Sequence, residues 1–341
     1  MNERKTSSTK PTVAVCMGTY NAAEYLEESI ASALAQTYPI VGIWVSDDAS
    51  SDETDARMRG LCAKYPQIRY HRQEKNLGPG GNLSWVLAQP EAEYIVRLDS
   101  DDRLEPKYIE KLVEAMERHP QAGFAHCDVW EMDGHGQRTR HRRLTRTFEF
   151  EDGDSMLRSN ASGYRVAANC ILYRKEAIHA VNYYQANEGW RTCEDWDMCL
   201  RMAAAGWGNV YVPETLTNYR VWDDPGGVRA RRKISEATTN NLIFRNTLMP
   251  AYRKRGWSVR PLEITMRRRA AAFCDALAWP IFSHEEQAEY IRLLRELGDG
   301  PRLRTALLLW RLGLSPLIAR WLRLKIAAKD AVKLIIRAAR G

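Results

Sequence analysis

Three aspartates fall within four residues in the stretch EYIVRLDSDDRLEP (93–106): Asp99, Asp101 and Asp102. They follow a short apolar run, Tyr94 to Leu98, that is interrupted only by Arg97. Like charges this close repel, and ionised groups are costly to take out of water. A divalent cation would resolve the conflict. In an extended chain residues two apart point to the same side, so Asp99 and Asp101 can face one ion while Asp102 turns away. One or two carboxylates, completed by water and phosphate oxygens, suit Mg2+ or Mn2+. The stretch is not a calcium-binding EF-hand loop, because the Gly required after Asp102 is absent. An acidic turn capping a helix that begins near Pro106 accounts for the same residues equally well.

Other candidates show the same tension between chemistry and local structure. Asp47 and Asp48 close the apolar run VGIWVS (41–46) and open DDASSDET. A carboxylate there can accept from a base N–H or a ribose hydroxyl, or it can make an Asx turn or helix cap. The turn suits Asp47 better, and the ligand role suits Asp48. NLGPGGN (76–82) opens a helix whose backbone N–H groups could approach a phosphate. It matches neither GxGxxG nor the P-loop, and a simple turn with Gly at positive φ fits it too. RTCEDWDMCLR (191–201) sets Glu194, Asp195 and Asp197 at a helix start. One of them is a general base if it reaches the site. Thr192 with Asp195 three residues on also reads as a capping box, and first-turn acids complement the helix dipole.

These residues need elements to hold them. VAVCM (13–17), VGIWVS, IRYHR (68–72), EYIVRL (93–98) and AGFAHCDVW (122–130) read as strands. Between them run helical patterns, such as Leu26, Ile30 and Leu34 after a cap at Asn21, and a helix capped by Ser51 or Asp52 that runs to about Tyr65. Strands alternating with helices imply an α/β fold with a mostly parallel sheet flanked by helices. Ligands sit beyond the carboxyl ends of such strands. Three of those ends carry TYN, DD and DSDD. Residues 133–163 read as irregular, with the basic loop RTRHRRLTR. After about residue 165 come a strand in VAANCILY, a helix in CEDWDMCLRMAAAG and a short strand in NVYVP, and beyond 226 the chain reads as helices.

Composition removes several classes. Of 341 residues, 45% are apolar, enough for a full core. No run of eighteen uncharged apolar residues spans a membrane, and MNERKTSSTKP is a poor secretory signal. Seven cysteines without a CxxC pair read as a reduced, cytoplasmic protein without a zinc knuckle. The first strand leads into GTYNAAEY, which lacks a dehydrogenase's Gly-rich fingerprint. The net charge is +7, yet residues 301–341 alone carry ten Lys or Arg and one Asp, which leaves the remainder slightly acidic. A near-neutral body with a basic tail is not a nucleic-acid-binding protein as a whole.

In their order, VCMGTYNAAEYLEESIASALAQTY, VSDDASSDET, NLGPGGN, RLDSDD and CEDWDMCLRMAAAGWGNVYVPETLTNYR resemble the family-2 inverting glycosyltransferases of the GT-A fold. The resemblance covers roughly residues 12–222. It implies that Thr19, Tyr20 and Asn21 lie beside the nucleotide base, that Asp48 contacts the base, and that Asn76 and Gly78 pass the nucleotide. It implies a DxD pair in Asp99 and Asp101, with Asp101 the usual ligand of Mn2+ or Mg2+ and Asp99 shared between metal and nucleotide-sugar. It makes Asp195 the catalytic base with Glu194 its neighbour, and Arg201 a structural residue. Two departures stand out. Trp222 occupies the place where many relatives carry a His, and the QxxRW motif of processive relatives is absent, which favours addition of a single sugar.

The expected organisation is a disordered N-terminus (1–11), a GT-A domain (12–225), a helical extension (226–300) and a basic amphipathic tail (301–341). In that tail Leu317, Trp321, Leu324, Ala328, Val332 and Ile335 share one helical face, and Arg323, Lys329, Lys333 and Arg337 the other. Such a helix suits an anionic membrane surface, or packs on the catalytic domain with its basic face in water. The expected activity is transfer of one sugar, from a UDP-sugar by default, to a glycan or lipid-linked acceptor in bacterial cell-surface polysaccharide synthesis, at the inner face of the plasma membrane. RTRHRRLTR could meet an anionic acceptor. A nucleotidyltransferase is the competing enzyme class, but it wants a basic phosphate loop after the first strand. A non-catalytic sugar-nucleotide-binding component of a membrane assembly is the competing non-enzyme.

Overall fold

In the computed structural model, residues 10–144, 146–161, 170–185, 193–222, 228–278 and 282–314 are described. The chain divides into two compact units, Met1–Asp223 and Asp224–Gly341.

The first unit holds strands β1 (Val13–Thr19), β2 (Gly42–Asp47), β3 (Ile68–Arg72), β4 (Tyr94–Arg97), β5 (Arg103–Leu104), β6 (Ala122–Met132), β7 (Arg138–Arg142), β8 (Phe150–Glu151), β9 (Ile171–Arg174) and β10 (Gly208–Arg220). Its helices are α1 (Leu26–Leu34), α2 (Thr54–Lys64), α3 (Gly78–Ala88), α4 (Tyr108–Arg118), α5 (Gly153–Asn160), α6 (Lys175–Ala180) and α7 (Glu194–Ala204). The strands form one sheet in the order β3-β2-β1-β4-β9-β6-β10-β5, with β7 on β6 and β8 on β10. From β3 to β4 every pairing is parallel. Beyond β4 the sheet is mixed: β9 runs antiparallel to both β4 and β6, whereas β10 runs parallel to β6.

The apolar runs are strands because both faces are covered. Val13, Val15 and Met17 of β1 are fully buried, packed with Ile43, Val45, Tyr94 and Val96. Helix α4 shows why the flanking layer is helical: Tyr108, Ile109, Leu112, Val113 and Met116 recur at helical spacing and are buried. Each such side chain contributes roughly 1.5–3 kcal/mol through burial. Gly18 lets α3 approach β1 closely, since a Cβ there would meet Leu83 at 3.2 Å.

Three local expectations are corrected. Asn21 does not cap α1. It adopts the left-handed conformation with φ 49°, and its Oδ1 accepts from the Ser51 amide at 2.8 Å. The stretch 133–163 is not irregular: it contains β7, β8 and α5. In β7, Arg138, Thr139 and Arg140 are all exposed, so no apolar alternation marked the strand. Strand β10 does not stop at Pro213. It runs to Arg220 through register shifts around Val212 and Thr215, and such bulges tolerate a proline.

The second unit is helical throughout its described residues: α8 (Val228–Leu242), a π-helical turn at Ile243–Leu248, α9 (Met249–Lys254), α10 (Arg260–Phe273), a 3-10 turn at Cys274–Ala278, α11 (His284–Gly298) and α12 (Pro301–Arg311). Ser283 and Glu286 form a capping box at the head of α11. Gly298 allows the backbones of α10 and α11 to touch, since a Cβ there would lie 2.6 Å from the Arg267 amide nitrogen. Among the described residues no helix is long and apolar enough to cross a membrane. The tail residues Leu317 to Arg337, on which the membrane expectation rests, lie outside the described residues.

Candidate active site

The parallel register sets Thr19 opposite Asp47 and Cys16 opposite Arg97, so the ends of β1, β2 and β4 share one edge of the sheet. At the β2 end two carboxylates are satisfied by the turn that follows and by residues of β3 and the start of α3, with Arg72 Nε 3.6 Å from Asp47. Asp47 is fully buried and accepts from the Ser50 amide at 2.9 Å and the Tyr70 hydroxyl at 2.9 Å, an Asx turn with one longer-range donor. Asp48 is buried too. Its Oδ1 accepts from the Leu77 amide at 2.6 Å, and the Gly78 amide also donates to it. Burial pushes its carboxyl above the usual range, and the two amides pull it partly back.

The residues flanking that turn converge on it. Asn76 Nδ2 donates to the Asp48 carbonyl at 3.1 Å, and Asn76 Oδ1 accepts from the Gly78 amide at 3.0 Å. Gly78 has φ +74°, a conformation that favours glycine. Asp48, Asn76 and Gly78 therefore form one unit next to the end of β1. There Tyr20 is 52% exposed, whereas Thr19 is buried with its hydroxyl unpartnered.

At the β4 end the carboxylates are satisfied by Arg97 two residues before Asp99 and by residues far along the chain. Arg97, with a side chain 7% exposed, forks onto Asp99: Nε lies 2.8 Å from Oδ1 and Nη2 3.0 Å from Oδ2. The third nitrogen, Nη1, donates to the Tyr184 hydroxyl at 3.0 Å and ion-pairs with Asp195. Tyr184 in turn donates to Asp195 Oδ1 at 2.9 Å and lies 2.8 Å from the Tyr173 hydroxyl. A single buried guanidinium thus joins the acidic loop to the first turn of α7. That helix is entered through Cys193, a left-handed residue at φ 59° without a side-chain cap. Glu194 heads the helix and is partly exposed. Thr192, the other half of the expected capping box, lies outside the described residues. Arg201 binds Asp197 at 2.6 Å and the Tyr183 carbonyl at 2.6 Å, which makes it structural.

Asp101 and Asp102 are held by a second arginine. The Arg220 amide donates to Asp102 Oδ1 at 2.9 Å, and its Nε donates to the Asp101 carbonyl at 2.9 Å. The same guanidinium reaches the Asp133 and Gly134 carbonyls and Glu28 Oε2. Asp102 Oδ2 is buried without a partner, and burial beside Asp101 and Asp99 drives that carboxyl well above its ordinary range. Burial and the Asp99 charge also raise Asp101. Trp222 Nε1 donates to Asp101 Oδ2 at 2.8 Å, and its ring packs edge-on against Tyr25.

Sequence reasoning passed over Arg97 and Tyr184. Arg97 had left a signal, because a cation inside a buried run must meet a carboxylate. Among the described residues no group of three or more His, Cys, Asp or Glu is arranged as a metal cage. The donor set nevertheless fits a hard dication of the Mg2+ or Mn2+ kind, which takes one or two carboxylates and leaves positions for phosphate and water. The crowded, raised carboxyls of Asp101 and Asp102 are the positive charge-deficient feature such an ion would relieve.

An open, mixed α/β sheet flanked by helices, with an acidic loop after its fourth strand, is the GT-A architecture of glycosyltransferases. The sequence model of the family described as "Glycosyl transferase family 2" matches residues 14–181, and the chain belongs to that family. EpsE of Bacillus subtilis (strain 168), which carries a glycosyltransferase name, is 29% identical over 234 residues, covering 68% of this chain and 80% of that protein. The succinoglycan biosynthesis protein ExoO of Rhizobium meliloti (strain 1021) is 31% identical over 129 residues, which cover 38% of this chain and only 36% of ExoO. Two solved structures share the fold. TarS 1–349 of S. aureus has a TM-score of 0.57 at 14% identity, covering 89% of this chain and 92% of that one. The mannosyltransferase PcManGT from Pyrobaculum calidifontis, in complex with GDP-Man and Mn2+, has a TM-score of 0.54 at 17% identity, covering 94% and 85%.

Proposed function

We propose that this chain is an inverting, metal-dependent glycosyltransferase that moves one sugar from a nucleotide-diphosphate sugar to a hydroxyl of a glycan or lipid-linked acceptor. The observation that carries the reading is the juxtaposition, through Arg97, of the Asp99–Asp101 loop with Asp195. One acidic group stands where a diphosphate would be held and another where an acceptor proton could be taken. Similar structures carry UDP, UDP-GlcNAc, or GDP-Man with Mn2+, which supports a nucleotide-sugar donor. Relatives named for succinoglycan and teichuronic acid biosynthesis support a place in polysaccharide synthesis.

Tyr20, exposed at the end of β1, and the Asp48–Asn76–Gly78 unit receive the nucleoside. Asp101 would hold Mn2+ or Mg2+, with Asp99 beside it. When bound, the ion would supply positive charge to offset the negative charge developing on the departing diphosphate. Asp195 accepts the proton of the acceptor hydroxyl as its oxygen bonds to the anomeric carbon. The bond from that carbon to the diphosphate oxygen breaks in the same displacement, which inverts the configuration. Glu194 borders the acceptor path at the head of α7.

The test is a thermal-shift screen of UDP, GDP, UDP-GlcNAc and GDP-mannose with and without Mn2+, since a ligand selective for the folded state raises the melting temperature. A Mn2+-dependent shift with one nucleotide, lost in Asp101→Ala, is expected. No shift with any of them rejects the reading. Asp195→Asn keeps the shift and lowers transfer by about 10²–10⁴-fold, the usual worth of a general base. The tail is assigned to an anionic membrane surface. The full chain then co-sediments with phosphatidylglycerol vesicles and a chain ending at residue 300 does not; equal sedimentation rejects that assignment.

A further inference from the structure

The geometry points to Arg97 as the positioning residue that fixes Asp195 relative to the donor corner, with Tyr184 as its second point of hold. The inference rests on the reading of Asp195 as the base and says what holds that base in place.

The case begins with the cost of the arrangement. Arg97 is buried in the sheet, and a buried guanidinium is tolerated only when its donors are met. All three of its nitrogens are spent on the site: two on Asp99, and one on both Tyr184 and Asp195. The fork is planar and rigid, so Asp99 and Asp195 cannot change their separation without breaking one of those bonds. Tyr184 closes a triangle with Arg97 and Asp195, and its hydroxyl is anchored from behind by that of Tyr173 on β9. Asp195 therefore has two donors that approach from the β4–β9 side of the sheet. The carboxylate is thus held by Arg97 of β4 and by Tyr184, which follows α6, in addition to the helix that carries it.

This arrangement serves an in-line displacement. The diphosphate and the attacking hydroxyl must stand on opposite sides of one carbon, and a displacement of about 1 Å can cost about 10²-fold in rate. A ruler between the group beside the diphosphate and the group that takes the proton meets that demand. A lysine at residue 97 would keep the charge but not the fork, so it could hold one carboxylate and not both.

Two variants test the inference, Arg97→Lys and Tyr184→Phe, with rates read as UDP release from UDP-GlcNAc and GDP release from GDP-mannose, each with Mn2+. Arg97→Lys is expected to lower kcat by about 10- to 100-fold. Tyr184→Phe, which leaves Asp99 untouched, is expected to lower kcat by about 3- to 10-fold with donor KM unchanged. In the Asp195→Asn background, adding Tyr184→Phe should change the rate by less than about twofold, because both substitutions disable one unit and neither touches Asp99. Losses that multiply in this double variant overturn the inference and make the Arg97–Tyr184 pair generally structural. Crystal structures of both variants give a readout that needs no turnover: the Asp195 carboxylate is expected to leave its position or occupy more than one. A carboxylate that stays in place in Arg97→Lys overturns the proposal. If Asp195→Asn alone transfers normally, the base assignment falls separately, and the crystallographic comparison still decides what holds residue 195.

Discussion

Two acidic strand ends lie on the same edge of the sheet, and they are held in opposite ways. The pair ending β2, Asp47 and Asp48, is answered mainly by neutral donors, Ser50, Tyr70 and the amides of Leu77 and Gly78, with the half-exposed Arg72 guanidinium 3.6 Å from Asp47 as its only cation among the described residues. In the group ending β4, Asp99 takes the fork of the buried Arg97, which also reaches Asp195, while the Asp101 and Asp102 carboxylates accept from Trp222 Nε1 and the Arg220 main-chain amide. Neutral donors hold a turn in one shape. Buried cations leave a charged corner whose balance changes when an ion or a diphosphate enters. The first arrangement builds a surface against which a nucleoside can rest, and the second builds a place where charge can be exchanged.

The comparison predicts unequal responses to substitution. Arg220→Met should be the most damaging, since removing one member of a buried charge network costs about 3–5 kcal/mol. Urea unfolding checks it, and a loss below about 1 kcal/mol would mean that the β4 end does not depend on its cations. Asp48→Asn keeps the shape and loses only the charged character of the acceptor, so a milder loss of about 1–2 kcal/mol is expected by the same measurement. Gly78→Ala forces a side chain into the left-handed region and should cost about 1 kcal/mol, with nucleotide binding weakened more than stability. An unchanged nucleotide affinity in that variant would detach the turn from the donor site.

One further effect lies away from both ends and is spread over the acid range. His126 is buried in β6 beside Arg146, and burial, with the Arg146 charge, lowers its pKa to about 3. Its unfolded value is near 6.5, so the unfolded chain takes up the proton first as the pH falls. Stability is therefore full above about pH 6.5 and declines toward pH 3 by at most about 1.4 kcal/mol per unit. Unfolding midpoints measured across that range should fall less steeply in His126→Asn; an identical slope would assign the acid sensitivity to other groups.

The strand ends were legible because a buried parallel strand is a continuous apolar run, and the first polar residues after it mark the carboxyl edge. Asp48, Asp99 and Asp101 could be placed on that rule, whereas Asn76, four residues past β3, came only with the family resemblance. What held them was not legible. The partner of Arg97 lies 98 residues further along the chain, and spacing carries no information about such a contact. Strand β7 escaped because its arginines are met by Glu105, Glu131 and Asn218 on other segments, so its polar sequence carries no period. Asn21 escaped because an Asn before a helical run suits a cap and a left-handed turn equally.

Arg220 draws together residues 28, 101, 102, 133 and 134, and its own amide completes the hold on Asp102. On the ribosome, the acidic corner stays open until almost two-thirds of the polypeptide has emerged. A fragment ending at residue 181, where the family match stops, would contain Asp99, Asp101 and Asp102 and still lack the clasp that shuts their loop.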